Sequence, residues 1–242
     1  MLPKLGDFIM LYRVVLDIAS AIIFLTRIPV AWHKLSSSSP NLSSSQWAFP
    51  IVGALVGLLV GSVTVLFLQF GLNLIPAACF GIMSGTLITE GLYEDGLADS
   101  VDGLGQCKTS DTKLEIMKDS SLGAYVTSAQ FLTYFLRITL LASLGSSSII
   151  IFACILTASG GRTSMVLLRR LSSPVSIKSS ANTLDAAKVK ETILSLVICS
   201  TFFLFFSLSF IIVGLLIVFG VPIFISWLTR KLTCHVARDF IN

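Results

Sequence analysis

The chain has 242 residues, of which 54% are hydrophobic and only 12% are charged. Soluble domains carry about 25% charged residues, so this composition excludes an ordinary soluble domain and predicts a membrane protein. The net charge of +4 is small, and the basic residues form no stripe, which excludes a nucleic-acid partner. The length suits one all-α domain over residues 1–242, a polytopic membrane helix bundle of about six to seven spans.

The first apolar segment, residues 8–32, is interrupted by Arg13, Asp17 and Arg27. Pro29 is expected to end or kink a helix here. A short span, a re-entrant piece and an interfacial helix all stay open for this segment. The serine-rich residues 36–45 that follow predict a flexible connector.

The next two apolar segments predict a helical hairpin. Residues 47–74 are long enough to span a membrane, and residues 76–93 return toward an acidic segment. Gly53, Gly57 and Gly61 recur every four residues and therefore share one helix face. Small residues at this spacing let helices approach closely in lipid, so we expect a packed neighbour on that face.

The second half of the chain predicts two further hairpins. Residues 124–144 and 148–168 form one, joined by a short turn. Residues 192–229 carry no charge and are too long for one crossing, so we predict two helices. The expected break points are Gly214, Gly220 and Pro222. Most Lys and Arg residues fall near residue 34 and in 108–118, 169–190 and 230–238. The positive-inside rule places these loops in the cytoplasm.

Residues 90–119 hold eight of the thirteen acidic residues and are predicted to face the cytoplasm. If residues 92–103 are helical, Asp95, Asp99 and Asp102 fall at i, i+4 and i+7 and share a face. Carboxylates this close repel one another unless they are protonated, hydrated or bound to a cation. Hard oxygen ligands without His or Cys select Mg²⁺, Mn²⁺ or Ca²⁺. The alternative is a solvated acidic loop beneath a membrane helix.

A second helix is predicted after residue 111. Thr112 and Glu115 have capping-box spacing, and Glu115 and Asp119 share a face at i, i+4. Lys113 and Lys118 supply cations beside them. Two helix ends that carry carboxylates could hold one or two metal ions against a diphosphate.

Two arginines fall within predicted spans. Arg137 lies near the middle of its segment, and Arg162 follows Gly160 and Gly161. Because an arginine inside a membrane is costly, each indicates a functional site that clamps a phosphate or pairs with the acidic cluster. A structural ion pair or a side chain that reaches the interface is the alternative.

Several motifs together resemble the cobalamin synthase family, the adenosylcobinamide-GDP ribazoletransferases. EDGLADSVDG followed by LEIMKDSSLG is similar to the family signature. FLTRIPV, FPIVGALVG and the GGR of residues 160–162 agree in order and spacing over roughly residues 20–230.

The resemblance implies a multi-pass enzyme of the bacterial inner membrane that acts in vitamin B12 synthesis. Such enzymes use Mg²⁺ to join adenosylcobinamide-GDP to α-ribazole or its 5′-phosphate and release GMP. The implied metal ligands are Asp95, Asp99, Asp102 and Glu94. The implied catalytic residues are Asp95, Asp99, Asp102, Glu115 and Asp119. The implied substrate-binding residues are Arg137, Arg162, Lys118 and Arg27. The expected partners are these substrates and the lipid bilayer, and a homo-oligomer stays open.

The sequence departs from the family pattern at several positions. Tyr93, Ser121 and Val126 stand where the family usually has His, Arg and Gly. The expected GG-x-TGD-x-LGA motif and a last apolar helix are not found before Asn242. The resemblance therefore predicts a truncated copy with impaired activity.

Two other functions stay open at this stage. A CDP-alcohol phosphotransferase uses a comparable Asp-Gly cluster, but its DG-x2-AR continuation is absent because Asp99 follows Ala98. A membrane transporter or cation-binding protein would distribute its charges through the spans. Here the acidic residues crowd one segment.

Overall fold

The computed structural model describes residues 5–105, 123–171, 188–203 and 208–238, with side chains for residues 10–101, 123–171, 188–203 and 212–228. All regular structure in these ranges is helical, which confirms the predicted all-α class. In chain order the helices are α1 (Leu5–Leu25), α2 (Trp32–Leu35), α3 (Phe49–Gln69), α4 (Leu74–Ile88), α5 (Leu92–Gly105), α6 (Ala124–Ser143), α7 (Ser147–Leu171), α8 (Val189–Phe203) and α9 (Leu208–Arg238). A 3₁₀ turn, Ser45–Ala48, leads into α3.

Two helical segments in the described ranges are long and apolar enough to cross a membrane, Ser45–Gln69 and Ser147–Leu171. The pair Leu74–Ile88 and Leu92–Val101 adds a third if the two helices form one span, broken by a bend of 88°. Ile212–Leu228 is a shorter apolar helix. By length and composition the described helices therefore support a membrane protein with two or three candidate spans.

The chain divides into two compact units. The first contains the residues up to Leu58 together with Phe152–Ser226, and the second contains Leu59–Ile151 and the residues from Trp227 onward. The single domain expected over residues 1–242 stays a prediction.

The core of the first unit lies where α1, the 3₁₀ turn, α3 and α7 meet. Its buried apolar residues are Ala21, Leu25, Ala48, Phe49, Val52 and Val166. The rings of Phe24 and Phe49 stack with centroids 5.8 Å apart. Asp17 of α1 accepts hydrogen bonds from Ser44 Oγ at 2.8 Å and Trp47 Nε1 at 3.0 Å, and so fixes the turn to α1.

The glycine face of α3 packs closely against α7, as the four-residue spacing predicted. In the first unit, a Cβ on Gly57 would lie 2.2 Å from the carbonyl oxygen of Cys154, which leaves no room for a side chain. A Cβ on Gly53 would lie 2.6 Å from the carbonyl oxygen of Ala158. In the second unit, a Cβ on Gly61 would lie 2.7 Å from the Cα of Ile151.

Helix α1 ends at Leu25, earlier than the stop that Pro29 predicted. The Thr26 hydroxyl donates to the carbonyl of Ile22 at 2.8 Å and accepts from the N–H of Ile28 at 3.3 Å. These bonds replace the next helical turn. Proline also disfavours helical backbone at the residue before it, so the helix stops ahead of Pro29.

The uncharged segment 192–229 contributes to two helices, as predicted, but its break points were wrong. Helix α9 runs unbroken through Gly214, Gly220 and Pro222. In the first unit, a Cβ on Gly214 would lie 2.1 Å from a ring carbon of Phe203. Gly214 therefore makes room for an aromatic ring.

Candidate active site

The acidic helix α5 begins at a sharp corner in the second unit. Glu90 and Gly91 adopt left-handed backbone angles, with φ of 56° and 72°. The N–H of Gly91 donates to the carbonyl of Thr86 at 3.0 Å and closes the end of α4. The N–H of Asp95 then donates to the carbonyl of Gly91 at 2.8 Å and starts α5. Glycine adopts this conformation without the steric cost of a Cβ, which explains Gly91 at the corner.

Helix α5 has an exposed acidic face and a half-buried face. Asp95 and Asp99 are exposed on one side, while Glu94 and Leu97 are partly buried. The side on which Glu94 lies packs against α6. Residues 92–103 are helical, so the condition for a shared face is met, and Asp95 and Asp99 lie on one side as expected. Asp102 lies in the same helix, but its side chain is outside the described ones.

The side chain of Glu94 lies at the centre of a polar cluster between α4, α5 and α6. Its Oε1 accepts from Arg137 Nη1 at 3.1 Å and from Thr86 Oγ1 at 3.3 Å. Thr86 Oγ1 also lies 3.2 Å from the hydroxyl of Tyr134. Gln130 Nε2 donates to the backbone carbonyl of Glu94 at 3.2 Å, which fixes α5 against α6 through the main chain.

The two oxygens of Glu94 have different surroundings. The side chain is 14% exposed, and Oε2 is buried without a hydrogen-bond partner among the described residues. A buried oxygen of this kind is costly unless a donor or a cation reaches it. Oε2 is therefore the position in the cluster where a further ligand is most favourable.

Arg137 pairs with Glu94 of the acidic segment. This contact agrees with the predicted pairing to the acidic cluster and equally with the alternative of a structural ion pair, so the functional role stays a prediction. The Arg137 side chain is 46% exposed, and its guanidinium carbon lies 5.9 Å from the centroid of the Tyr134 ring. The ion pair and the ring together hold the guanidinium on the Glu94 side of α6. Only one of its nitrogens is engaged by Glu94, so other N–H groups can face a ligand.

Sequence reasoning missed Thr86, Gln130 and Tyr134. A signal for two of them was present, because Gln130, Tyr134 and Arg137 fall at i, i+4 and i+7 and share one face of α6. The same spacing was used to identify the aspartates of α5. No comparable pattern marks Thr86, which joins the cluster through the bend between α4 and α5.

No group of three or more His, Cys, Asp or Glu side chains that could hold a metal ion occurs within the described residues. The predicted ligands Asp95 and Asp99 lie in that part of the chain, and Asp102 contributes only its backbone to it. Glu94 Oε1 is engaged by Arg137. The full ligand set therefore stays a prediction.

Arg162 and Arg27 belong to the first unit. Arg162 is 7% exposed, and its Nη1 donates to the carbonyl of Ala158 at 3.1 Å. Its Cδ lies 2.7 Å from the position that a Cβ on Gly53 would take, so the glycine makes room for the arginine. Arg27 is exposed after the end of α1. The Glu94 cluster is built from residues of the second unit, and neither arginine belongs to that unit.

The remaining predicted site residues lie outside the described residues. They are Glu115, Asp119 and Lys118, together with the predicted capping box of Thr112 and Glu115.

Comparison with known proteins identifies a family. The model of the family described as cobalamin-5-phosphate synthase matches residues 17–236. Three of the curated relatives carry the name adenosylcobinamide-GDP ribazoletransferase. The relative from Mesorhizobium japonicum is 35% identical over 146 residues, which are 60% of this chain and 56% of the relative. The relative from Shewanella amazonensis is 40% identical over 129 residues, or 53% of this chain and 49% of the relative.

The third relative, from Albidiferax ferrireducens, is 41% identical over 132 residues, which are 52% of this chain and 47% of the relative. The chain thus spans about half the length of the curated relatives it matches. No solved structure matches it.

Proposed function

Because this chain belongs to the cobalamin-5-phosphate synthase family, we propose that it transfers the cobinamide-phosphate group of adenosylcobinamide-GDP to α-ribazole or α-ribazole 5′-phosphate. The observation that carries this proposal is the family match over residues 17–236, which includes α5 and α6. The relatives' shared name, adenosylcobinamide-GDP ribazoletransferase, supports the same pair of substrates.

The reaction is a substitution at phosphorus. A hydroxyl oxygen of the ribazole forms a bond to the phosphorus attached to cobinamide, and the bond from that phosphorus to the bridging oxygen breaks. GMP leaves with the electron pair, and a carboxylate accepts the proton of the hydroxyl. The product is adenosylcobalamin or its 5′-phosphate. Negative charge grows on the transferred phosphoryl group and the leaving oxygen, so the site needs cations around both.

We assign the cation requirement to Mg²⁺ held by Asp95, Asp99 and Asp102. The chemistry of the donor set fits this ion, because Asp95 and Asp99 are exposed carboxylates on one side of α5 with no His or Cys beside them. A bound Mg²⁺ neutralises charge on the diphosphate. Glu94 supports the site through Oε2, which has no protein donor among the described residues. Glu115 and Asp119 are assigned to the same catalytic set.

Arg137 is proposed to orient a phosphate of the substrate. Its ion pair with Glu94 and its position over Tyr134 restrict the guanidinium. The half-exposed side chain retains donors for phosphate oxygens, and a restrained guanidinium loses less entropy on binding. Arg162, Arg27 and Lys118 are proposed as further phosphate or substrate contacts.

The enzyme is proposed to be a bundle of about six to seven spans in the bacterial inner membrane, with the acidic segment in the cytoplasm. The two or three candidate spans and the basic loops support this arrangement. Helix α5 turns by 88° from α4, as expected of a polar helix that leaves the hydrocarbon region at the interface.

The proposal is tested by incubating membranes that contain the 242-residue chain with adenosylcobinamide-GDP, α-ribazole and Mg²⁺. We expect GMP and adenosylcobalamin in equal amounts. Membranes with the Asp95→Asn variant are the control. Release of CMP from a CDP-alcohol with no GMP release would identify a CDP-alcohol phosphotransferase instead. Corrinoid or cation transport without transfer would replace the proposal with a transporter.

A further inference from the structure

A cavity of about 800 Å³ lies in the first unit, among α1, the serine-rich loop and the start of α8. Its volume falls in the range of roughly 300–1,000 Å³ that is typical of small-molecule sites. Charged side chains and indole rings line it, including Arg13, Asp17, Trp32, Trp47, Lys190 and Glu191. The acidic segment contributes none of the lining, so the cavity needs an explanation of its own.

The two lining cations have no partner among the side chains that the structure describes. Arg13 of α1 and Lys190 of α8 are exposed, and neither forms an ion pair or a side-chain hydrogen bond with any described residue. Both can therefore bind an anion without first breaking a contact to any described residue. Two separate cations at one cavity favour a phosphate monoester, whose double charge can be shared between them.

Two carboxylates line the same cavity and require hydrogen-bond donors. Asp17 accepts from Ser44 and Trp47, and a carboxylate has capacity for about four such bonds. Glu191 has a buried Oε2 without a hydrogen-bond partner among the described residues. A phosphate alone would be repelled by these groups, whereas a ligand that also carries hydroxyl groups would satisfy them.

The two tryptophans offer a ligand the apolar faces of their rings, because both indole N–H groups already donate to protein oxygens. The Trp47 Nε1 donates to Asp17 at 3.0 Å, and the Trp32 Nε1 donates to the carbonyl of Ser38 at 2.5 Å. Since both N–H groups are used, the indoles are oriented by the protein before any ligand arrives. Flat aromatic groups pack favourably on such rings.

We propose that this cavity binds a phosphorylated aromatic nucleoside. The phosphate lies between Arg13 and Lys190, the sugar hydroxyls donate to Asp17 and Glu191, and the base packs on the tryptophans. A phospholipid headgroup shares the phosphate but lacks the flat base, so it does not use the indole surface. The choice of α-ribazole 5′-phosphate as the probe rests on the proposed function, in which this nucleoside is the acceptor.

The test is equilibrium dialysis of the purified full chain, in detergent and without adenosylcobinamide-GDP, against labelled α-ribazole 5′-phosphate and α-ribazole. We expect Arg13→Gln and Lys190→Gln each to weaken binding of the phosphorylated nucleoside about tenfold, as expected for one lost charge-assisted hydrogen bond. Binding of unphosphorylated α-ribazole should change less than about twofold. Arg13→Lys should retain most of the affinity.

The matched control is Arg170→Gln, an exposed arginine of the same unit that does not line the cavity. It should leave both affinities unchanged. In a Trp227→Phe background the two cavity tryptophans are the only ones left of three, so ligand should quench the remaining fluorescence.

Unchanged phosphonucleoside affinity in both Arg13→Gln and Lys190→Gln would overturn the proposal. So would phosphatidylglycerol vesicles that bind with the same dependence on Arg13 while the nucleoside does not, since the cavity would then be a lipid site. The assay contains no donor substrate. Normal binding without GMP release counts against the proposed function alone, and normal GMP release without these binding losses counts against this cavity alone.

Discussion

Glu94 links three helices through one carboxylate and its own backbone carbonyl. Oε1 is shared by Arg137 and Thr86, and the main-chain oxygen accepts from Gln130. Oε2 has no partner among the described residues. A carboxylate held on one side only is suited to face a ligand on the other. The residue next to it, Asp95, already lies on the exposed side of α5.

The ion pair between Glu94 and Arg137 should contribute modestly to stability because the Arg137 side chain is 46% exposed. In a double-mutant cycle of Glu94→Gln and Arg137→Gln, we expect a coupling energy of about 0.5–1 kcal/mol. The measurement is reversible unfolding in detergent. Asp99→Asn combined with Arg137→Gln is the control pair, since Asp99 forms no ion pair with Arg137 in the described structure. If the Glu94–Arg137 coupling energy is no larger than that of the control pair, the ion pair does not contribute to stability.

The proposed metal ligands give the most direct prediction about activity. Asp95→Asn and Asp102→Asn should each abolish Mg²⁺-dependent GMP release, because an amide keeps the shape of the side chain but loses the charge that binds the ion. Membrane insertion should be unchanged, as measured by the amount of protein in washed membranes. Ser100→Ala is the matched control, since Ser100 is exposed on the same helix and, among the described residues, its hydroxyl bonds to the carbonyl of Gly96 alone. Near-parental turnover in either Asn variant would show that the ligand assignment is wrong.

For single residues, the sequence predicted the acidic helix α5 and its basic partner Arg137. Spacing was sufficient for Asp95 and Asp99 because helical periodicity depends only on chain position. It could not choose between an ion pair and a phosphate contact for Arg137, because that choice depends on the bend after α4. Thr86 precedes the bend and reaches Glu94 only because the chain turns there.

Helices α3 and α7 show how a residue pattern becomes a packing surface. In the first unit the Gly57 position meets the backbone of Cys154 and Ile155 directly, with no side chain between the helices. Close backbone approach increases van der Waals contact, which replaces the hydrophobic effect as the source of helix association in lipid. The glycine spacing was therefore informative at the scale of an element.

Gly57→Ala should destabilise the chain by roughly 1–3 kcal/mol, the usual range for an overpacked site. The added Cβ would lie 2.2 Å from a backbone oxygen, which cannot move as a flexible side chain does. Thermal unfolding in detergent measures the effect. Gly161→Ala in α7 is the control, because nothing lies within 4 Å of its Cβ position. It should be neutral or stabilise the helix by up to about 1 kcal/mol. Equal effects of the two substitutions would count against close packing at Gly57.

Residue type alone misplaced two helix boundaries. Gly214 and Pro222 have the composition of a helix break, yet α9 passes through both. The ring of Phe203 occupies the space that Gly214 leaves, so the glycine serves packing. After Ile88 the helix breaks, although residues 76–93 were expected to form one continuous segment. Glu90 adopts a positive φ there, which no rule based on residue type predicts for glutamate.

At the scale of the whole molecule, the charge distribution predicts which ends of the helices share a side of the membrane. The turns near Asn73 and Ser146 carry no Lys or Arg, whereas the segments around α5 and after α7 are rich in them. Basic segments are retained in the cytoplasm, so α5 should lie opposite to both turns. Because the proposed substrates and Mg²⁺ are cytoplasmic, the placement of α5 is a condition for the proposed activity.

Single cysteines at Asn73, Ser146 and Ser100 test this topology in a background where the five native cysteines are replaced by serine. All three positions are exposed, so each cysteine should react with a maleimide that has access to its side of the membrane. We expect a membrane-impermeant maleimide to label Asn73→Cys and Ser146→Cys in intact cells. Ser100→Cys, which follows Asp99 on α5, should react only after the cells are permeabilised. Labelling of all three after permeabilisation is the control. If Ser100→Cys reacts in intact cells, the carboxylates of α5 face away from the cytoplasm, and a transferase that uses cytoplasmic nucleotides could not use them.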